Sequence, residues 1–177
     1  GADWVDQLHT ATAGVADPHE SRRRKRAYIA ELHHTTLLRP GLLALLDEIR
    51  AHAIPMAIAS NSPSDWIDFQ LDRLGLTEYF PISVTIDRVE RGKPFPDPYL
   101  HAVRLLGAEP GGSVAFEDSE AGTQSAVSAG LFVIAAPGPM TITHDLSAAH
   151  MQIDGFHEFT LADVQIDAGY GRWPGGW

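Results

Sequence analysis

The sequence contains no cysteine among its 177 residues. This absence excludes a disulfide framework, a zinc ribbon and a thiolate nucleophile. Positive charge is also scarce, since 13 Lys and Arg face 23 Asp and Glu, and the net charge is −10 with a pI of about 5.2. The phosphate backbone of nucleic acid would repel such a chain, so nucleic acid is not an expected partner.

Long apolar runs are missing as well. No run reaches the roughly 20 residues that a membrane-spanning helix needs. The first four residues lack the basic-then-apolar order of a signal peptide. We therefore expect a cytoplasmic protein with no membrane partner. Hydrophobic residues make up 44% of the chain, which is enough for one ordinary domain with a core.

Residues 1–38 differ in character from the rest of the chain. They are polar, short of strand-like runs, and carry a basic cluster over Arg22–Arg26 ahead of apolar residues at helical spacing. We expect helices here, with the cluster on a solvated face; steering of an anionic substrate is the alternative. His33 and His34 lack a metal-ligand spacing, so we expect solvated or capping histidines, with a Zn²⁺ or Mn²⁺ site as the alternative.

From Pro40 onward, helical patterns alternate with apolar runs of strand length. The runs are Ala53–Ser60, Pro81–Ile86, Val114–Phe116, Leu131–Ala135 and Met151–Ile153. This alternation predicts an α/β fold, a Rossmann-like parallel sheet with helices on both faces, over residues 39–168. Residues 169–177 are predicted to be a flexible tail.

Punctuation residues mark the predicted helix ends. Ser62 is the expected N-cap of the helix after the first strand, with Pro63 as its first helical residue. Gly75 and Gly107 are the expected stops of this helix and of the next one.

Polar residues follow the first two predicted strands. Ser60, Asn61 and Ser62 place hydroxyl and amide donors just before a helix N-terminus, which suits a phosphate or a carboxylate. The alternative for Ser62 is a helix cap alone. Lys93 follows the second strand in a turn stiffened by proline, although a lone lysine is usually only solvated.

Two adjacent acids, Glu117 and Asp118, follow the third strand. Carboxylate oxygens are hard ligands that suit Mg²⁺. In open α/β sheets the carboxyl ends of the strands form the ligand site, so these acids and the preceding donors are expected to meet there. Anion donors, a cation and a metal-binding pair are together what phosphoryl transfer needs.

Three runs of the sequence resemble the second, third and fourth motifs of the haloacid dehalogenase (HAD) superfamily. They are Ala57–Ser62, Gly92–Pro98 and Val114–Gly122. Within the superfamily the chain is most similar to the β-phosphoglucomutase-like phosphatases. The resemblance spans about residues 38–165, and residues 1–38 resemble the second half of that family's helical cap.

The resemblance implies a role for each matching residue. Ser60 would hydrogen-bond the transferring phosphoryl group, Asn61 would help to hold the substrate, and Lys93 would neutralise charge. Asp118 would bind Mg²⁺, with Mn²⁺ or Zn²⁺ as alternatives, and Glu117 would support the ion directly or through water. The implied partner is a small phosphorylated substrate.

The family's first motif, an apolar strand ending in Asp-x-Asp-Gly-Thr, is not found in the sequence. Asp3 and Asp6 follow no apolar run and have a different spacing. The chain therefore resembles an N-terminally truncated member that lacks the nucleophile, the usual central first strand and part of the cap. Unpaired inner strand edges cost roughly 1–3 kcal/mol per unsatisfied group, so something must fill or close the gap. The alternatives are direct pairing of the two flanking strands, a segment from a second copy and a separately supplied N-terminal piece, and of these we expect a homodimer.

Three functions remain open at this point. The first is a metal-dependent phosphoric-ester hydrolase, a phosphatase or phosphodiesterase, in which metal-activated water replaces the missing nucleophile. The second is an inactive remnant that binds phosphate or a partner, or one half of a split HAD phosphatase. The third, an L-2-haloacid dehalogenase, is disfavoured because that reaction has no use for Mg²⁺.

Overall fold

The computed structural model describes residues 37–163 together with residues 10–12, 14, 17, 19–21 and 23–24. Two compact units divide the chain, Gly1–Leu37 and Leu38–Trp177. The histidine pair at 33 and 34 and the predicted tail at 169–177 lie outside the described residues.

In the first unit, the described residues include short helical stretches at 10–11, 19–21 and 23–24. Arg23 and Arg24 of the basic cluster are exposed and both donate to Glu20, at 2.9 and 2.8 Å. The other three residues of the cluster lie outside the described residues. The exposure of Arg23 and Arg24 agrees with the solvated face that we expected, and steering of an anionic substrate stays the untested alternative.

The described part of the second unit alternates helices with strands. The helices are α1 (Leu42–Ala51), α2 (Ser64–Leu74), α3 (Asp97–Leu106) and α4 (Glu120–Ser128). The strands are β1 (Ala57–Ala59), β2 (Ile82–Val84), β3 (Val114–Glu117), β4 (Phe132–Ala135) and β5 (Met151–Gln152). Short 3₁₀ turns lie at Ile86–Arg88, Pro110–Gly112 and Phe156–Glu158. None of the described helices is both long enough and apolar enough to cross a membrane.

The strands pair in parallel, in two groups. β1 pairs with β2, and β4 lies between β3 and β5. Among the described residues no ladder joins β1 to β3. The described strands therefore form a two-stranded and a three-stranded sheet.

Helices cover both faces of β4, whose residues are all buried. Phe132 and Ile134 pack in one cluster with Leu45 and Ile49 of α1. Val133 points to the other face, because side chains alternate along a strand, and packs in a cluster with residues of α3 and α4. This arrangement confirms the predicted α/β fold with a parallel sheet covered on both faces.

The predicted glycine stops are confirmed. Gly75 follows α2 and Gly107 follows α3, both in the left-handed region with φ of 69° and 67°. Glycine adopts this conformation without the steric penalty that a Cβ brings, so each helix ends where the sequence predicted.

The predicted start of α2 is wrong by one residue. Pro63, not Ser62, is the N-cap, and the helix begins at Ser64. Asp87, in the turn after β2, accepts a hydrogen bond from the Ser64 backbone N–H at 3.1 Å and another from the Ser64 hydroxyl. A carboxylate that is distant in sequence thus does the capping expected of Ser62.

Candidate active site

Lys93 connects the polar groups at the ends of the strands. Its Nζ forms an ion pair with Oε1 of Glu117, the last residue of β3. The two side chains are only 11% and 6% exposed. The structure therefore brings the cation of the loop after β2 onto the acid at the end of β3, as the convergence of strand ends predicts.

Asn61 holds the main chain of Lys93 from the end of β1. Its Oδ1 accepts from the Lys93 N–H at 2.7 Å, and its Nδ2 donates to the Lys93 carbonyl oxygen at 2.9 Å. Both ends of the carboxamide are thus engaged with one residue. The contact fixes the position from which the lysine side chain leaves the backbone.

Ser60 lies beside Asn61, and its backbone N–H extends the pairing of β1 with β2 by donating to the Val84 carbonyl at 2.9 Å. Its Oγ accepts from the Ser62 N–H at 3.0 Å. In the described part of the chain, no acceptor takes the Ser60 hydroxyl proton. That proton is therefore available to an anion at this edge of the sheet.

Glu117 is surrounded by donors. Besides Lys93, the hydroxyl of Tyr99 donates to Oε1, and the hydroxyl of Ser119 donates to Oε2 at 3.4 Å. Ser119 also caps α4 by accepting from the Gly122 N–H at 3.1 Å. A Cβ at Gly122 would overlap the Glu117 carboxylate, so this position needs glycine for the close approach.

Tyr99 is a site residue that the sequence analysis missed. It lies in the first half of α3 and is 7% exposed, with its ring in the core and the Lys93 Nζ 4.8 Å from the ring centroid. Burial raises the pKa of Tyr99 well above its usual range, and the charge and hydrogen bond of Glu117 add to the increase. The missed signal is that a buried tyrosine hydroxyl needs a polar partner.

Asp118 is exposed, with the Thr141 hydroxyl 3.4 Å from its Oδ2. Among the described residues, no group of three or more His, Cys, Asp or Glu side chains is placed to hold a metal ion. Mg²⁺, however, needs only one or two protein carboxylates when water and phosphate oxygens complete its shell. Asp118 fits such a ligand, whereas both Glu117 oxygens already accept hydrogen bonds.

Comparison with known proteins gives a consistent set of relatives. The chain is 33% identical over 135 residues to validoxylamine A 7'-phosphate phosphatase of Streptomyces hygroscopicus subsp. limoneus, covering 76% of this chain and 57% of that protein. It is 34% identical over 144 residues to Protein CbbY of Rhodobacter capsulatus, covering 80% of this chain and 63% of that protein. The chain thus spans less than two thirds of the length of these relatives.

A solved structure shares the fold at a similar level. CbbY from Rhodobacter sphaeroides, in complex with xylulose-(1,5)bisphosphate, superposes with a TM-score of 0.72 at 29% identity, covering 84% of this chain and 68% of that one. The haloacid dehalogenase-like hydrolase family matches residues 1–130. This chain is a member of the haloacid dehalogenase-like hydrolase family.

Proposed function

We propose that this chain hydrolyses small phosphoric esters at the edge of the sheet where Lys93 meets Glu117. The observation that carries the proposal is the buried ion pair of these two side chains. It holds the Lys93 ammonium against Glu117, the first of two adjacent acids, and the Lys93 main chain is held by Asn61, the chain neighbour of Ser60. Such fixed charges and donors stabilise the negative charge of phosphoryl oxygens during transfer.

Each strand end has a distinct role in the proposed reaction. The Ser60 hydroxyl donates a hydrogen bond to a phosphoryl oxygen. The Lys93 ammonium neutralises charge on the same group. Asn61 holds the Lys93 main chain, and its predicted contact with the substrate stays a prediction.

Asp118 is the proposed ligand for Mg²⁺, with Mn²⁺ or Zn²⁺ as alternatives, and Glu117 supports the ion through water. When bound, the ion supplies positive charge at the phosphate and lowers the pKa of a water molecule. The Asp118 carboxylate is exposed, and its oxygens are hard ligands of the kind that Mg²⁺ prefers, which supports this assignment.

Water is the proposed attacking group when this chain acts alone. The carboxylates that we place at the site are already engaged, since Glu117 pairs with Lys93 and Asp118 is the proposed metal ligand. Esters with good leaving groups, including diesters, suit direct attack by water. The phosphorylated molecules named for the relatives make sugar-like phosphate esters the first natural substrates to test.

Hydrolysis of p-nitrophenyl phosphate and bis(p-nitrophenyl) phosphate by the purified chain tests the proposal. Rates are measured with EDTA and with added Mg²⁺, Mn²⁺ or Zn²⁺. An Asp118→Asn variant purified in the same way controls for contaminating phosphatase. We expect metal-dependent turnover that the variant loses; equal rates in the two proteins, or none in either, would rule the proposal out.

The separation of the described strands into two sheets favours a second candidate, a partner-binding remnant or one half of a split phosphatase. β1 and β3 share no ladder among the described residues, and an open strand edge accepts an added strand. A peptide with an apolar strand followed by Asp-x-Asp-Gly-Thr discriminates the cases. A split enzyme gains activity with the peptide, whereas a self-sufficient enzyme or a binding remnant does not.

The homodimer expected from the sequence is a further proposal. A second copy that adds a strand beside β1 or β3 would extend the backbone pairing of that strand. Light scattering during gel filtration, over a range of concentrations, would show twice the mass of the chain; a monomer throughout would rule the dimer out. The cytoplasmic location stays a prediction.

A further inference from the structure

The Tyr99 hydroxyl lies between the two charges of the candidate site. It donates to Glu117 Oε1, the same oxygen that accepts from Lys93. Lys93 Nζ also lies 3.3 Å from the Tyr99 oxygen. One neutral group thus contacts both the cation and the anion in a part of the molecule from which water is largely excluded.

A second donor on Oε1 affects what Lys93 can do. When an ammonium is the only donor to a carboxylate, the two groups bind each other tightly. Contact of the ammonium with a second anion then has a large energetic cost. When a neutral hydroxyl shares the same oxygen, part of the negative charge is compensated without the lysine. The ammonium then has more freedom to contact a phosphoryl oxygen.

We propose that Tyr99 is a positioning residue, whose hydroxyl shares the Glu117 carboxylate so that Lys93 can bind the oxygens of a phosphate group. The inference rests on the proposed function because it assigns Lys93 to an anion. Tyr99 itself touches no reacting atom. It acts through Glu117 and Lys93.

Tyr79 provides a matched control at a distance from the site. Its hydroxyl also donates to a carboxylate, Asp47 Oδ1, at 2.6 Å, and its ring is also in the core, with 9% of the residue exposed. It packs in a different cluster, with Leu46, Leu71 and Leu76. Tyr79→Phe therefore removes a similar hydrogen bond without touching Lys93.

The lysine content of the chain permits a direct measurement. The sequence contains only two lysines, Lys25 and Lys93. The rate at which an amine-reactive reagent modifies Lys93, relative to Lys25, is read by peptide mass spectrometry at increasing concentrations of inorganic phosphate. Protection of Lys93 gives the phosphate midpoint at this residue and does not depend on turnover.

We expect phosphate to protect Lys93 in the wild type. In Tyr99→Phe the midpoint rises about tenfold, the scale of one lost hydrogen bond to a charged group. It is unchanged in Tyr79→Phe, and in the Glu117→Gln background Tyr99→Phe has no further effect, because no carboxylate charge remains to share. Thermal unfolding of all variants checks that each is folded.

An unchanged midpoint in Tyr99→Phe, or an equal rise in Tyr79→Phe, overturns the role of Tyr99 and leaves the proposed function standing. If the phosphate midpoint shifts as predicted but no protein hydrolyses the esters, the role of Tyr99 stands and the proposed function is overturned. Absence of any protection in the wild type overturns both. A Tyr99→Phe protein that unfolds at the assay temperature assigns Tyr99 to the core alone and overturns the inference.

Discussion

The three-stranded sheet and the two-stranded sheet differ in burial although both derive from apolar runs. All four residues of β4 are buried, whereas all three residues of β1 are half-buried. β4 has a described strand on each side and helices on both faces, whereas β1 has one described neighbour. The difference shows that the neighbours of a strand, more than its apolar content, decide how deeply it is buried.

The chemistry divides in the same way. The three-stranded sheet carries the acids Glu117 and Asp118, and the two-stranded sheet and its following loop carry Ser60, Asn61 and Lys93. The ion pair of Lys93 with Glu117 joins the two groups. The candidate site therefore depends on the position of one half relative to the other.

Truncating an isoleucine in each sheet tests the difference in burial and has the largest expected effect. Ile134 on β4 is 0% exposed, and Ile58 on β1 is half-buried. We expect Ile134→Ala to lower the free energy of unfolding by about 4 kcal/mol and Ile58→Ala by about 2 kcal/mol. Urea denaturation of the two variants and the wild type measures both values.

The comparison of the two sheets depends on the difference between the losses of unfolding free energy in Ile134→Ala and Ile58→Ala. Equal losses would mean that β1 packs as tightly as β4 in solution. A change in the slope of the urea transition would point instead to an altered unfolded or native state.

A methyl group beside Glu117 tests the contact that joins the two halves. In Gly122→Ala the new Cβ would overlap the Glu117 carboxylate, so one of the two must shift, and we expect the flexible side chain to move away from Lys93 and Tyr99. We expect stability to fall by about 2 kcal/mol. Amine modification of Lys93 relative to Lys25 should rise several-fold as its partner leaves.

Gly111→Ala is the matched control, because a Cβ at Gly111 meets no atom within 4 Å. It should change neither Lys93 modification nor stability by more than about 0.5 kcal/mol. If Gly122→Ala behaves like this control, the Glu117 carboxylate has room to spare and does not hold the two halves in register.

Local patterns in the sequence predicted most of the fold. The alternation of strands and helices and the stops at Gly75 and Gly107 depend on neighbouring residues, and they are confirmed. The cap of α2 was mispredicted because its acceptor, Asp87, is 23 residues from Ser64 along the chain. A cap supplied by tertiary structure leaves no signal in the local sequence.

The candidate site shows the same limit. The family motifs predict which strand ends bear Ser60, Lys93 and Glu117. They do not show that the Asn61 carboxamide holds the lysine backbone, since that contact joins residues 32 positions apart. No motif singles out Tyr99, and only the packed structure shows that its hydroxyl reaches Glu117.

The smallest predicted effect concerns the pH dependence of the two-stranded half. Hydrogen bonds from Ser64, and then from Thr85, lower the pKa of Asp87 from 3.8 to about 2. Because the pKa is lower in the folded state, the stabilising contribution is present above pH 3.8 and is lost as the pH falls toward 2. As the pH falls through this range, the stability of the wild type should therefore decrease. Asp87→Asn should show no such decrease, because it lacks the carboxylate at every pH.

The loss should appear first at the start of α2, since the protonated carboxyl caps the Ser64 N–H poorly. Amide hydrogen exchange in the first turn of α2, between about pH 4 and pH 2.5, measures it in the wild type and in Asp87→Asn. Asp145→Asn is the control, because Asp145 also has a lowered pKa through Ser147 but lies outside this half. If the pH dependence of exchange in α2 disappears in Asp145→Asn and remains in Asp87→Asn, the loss of stability is global. The two-stranded sheet then has no acid-sensitive contact of its own.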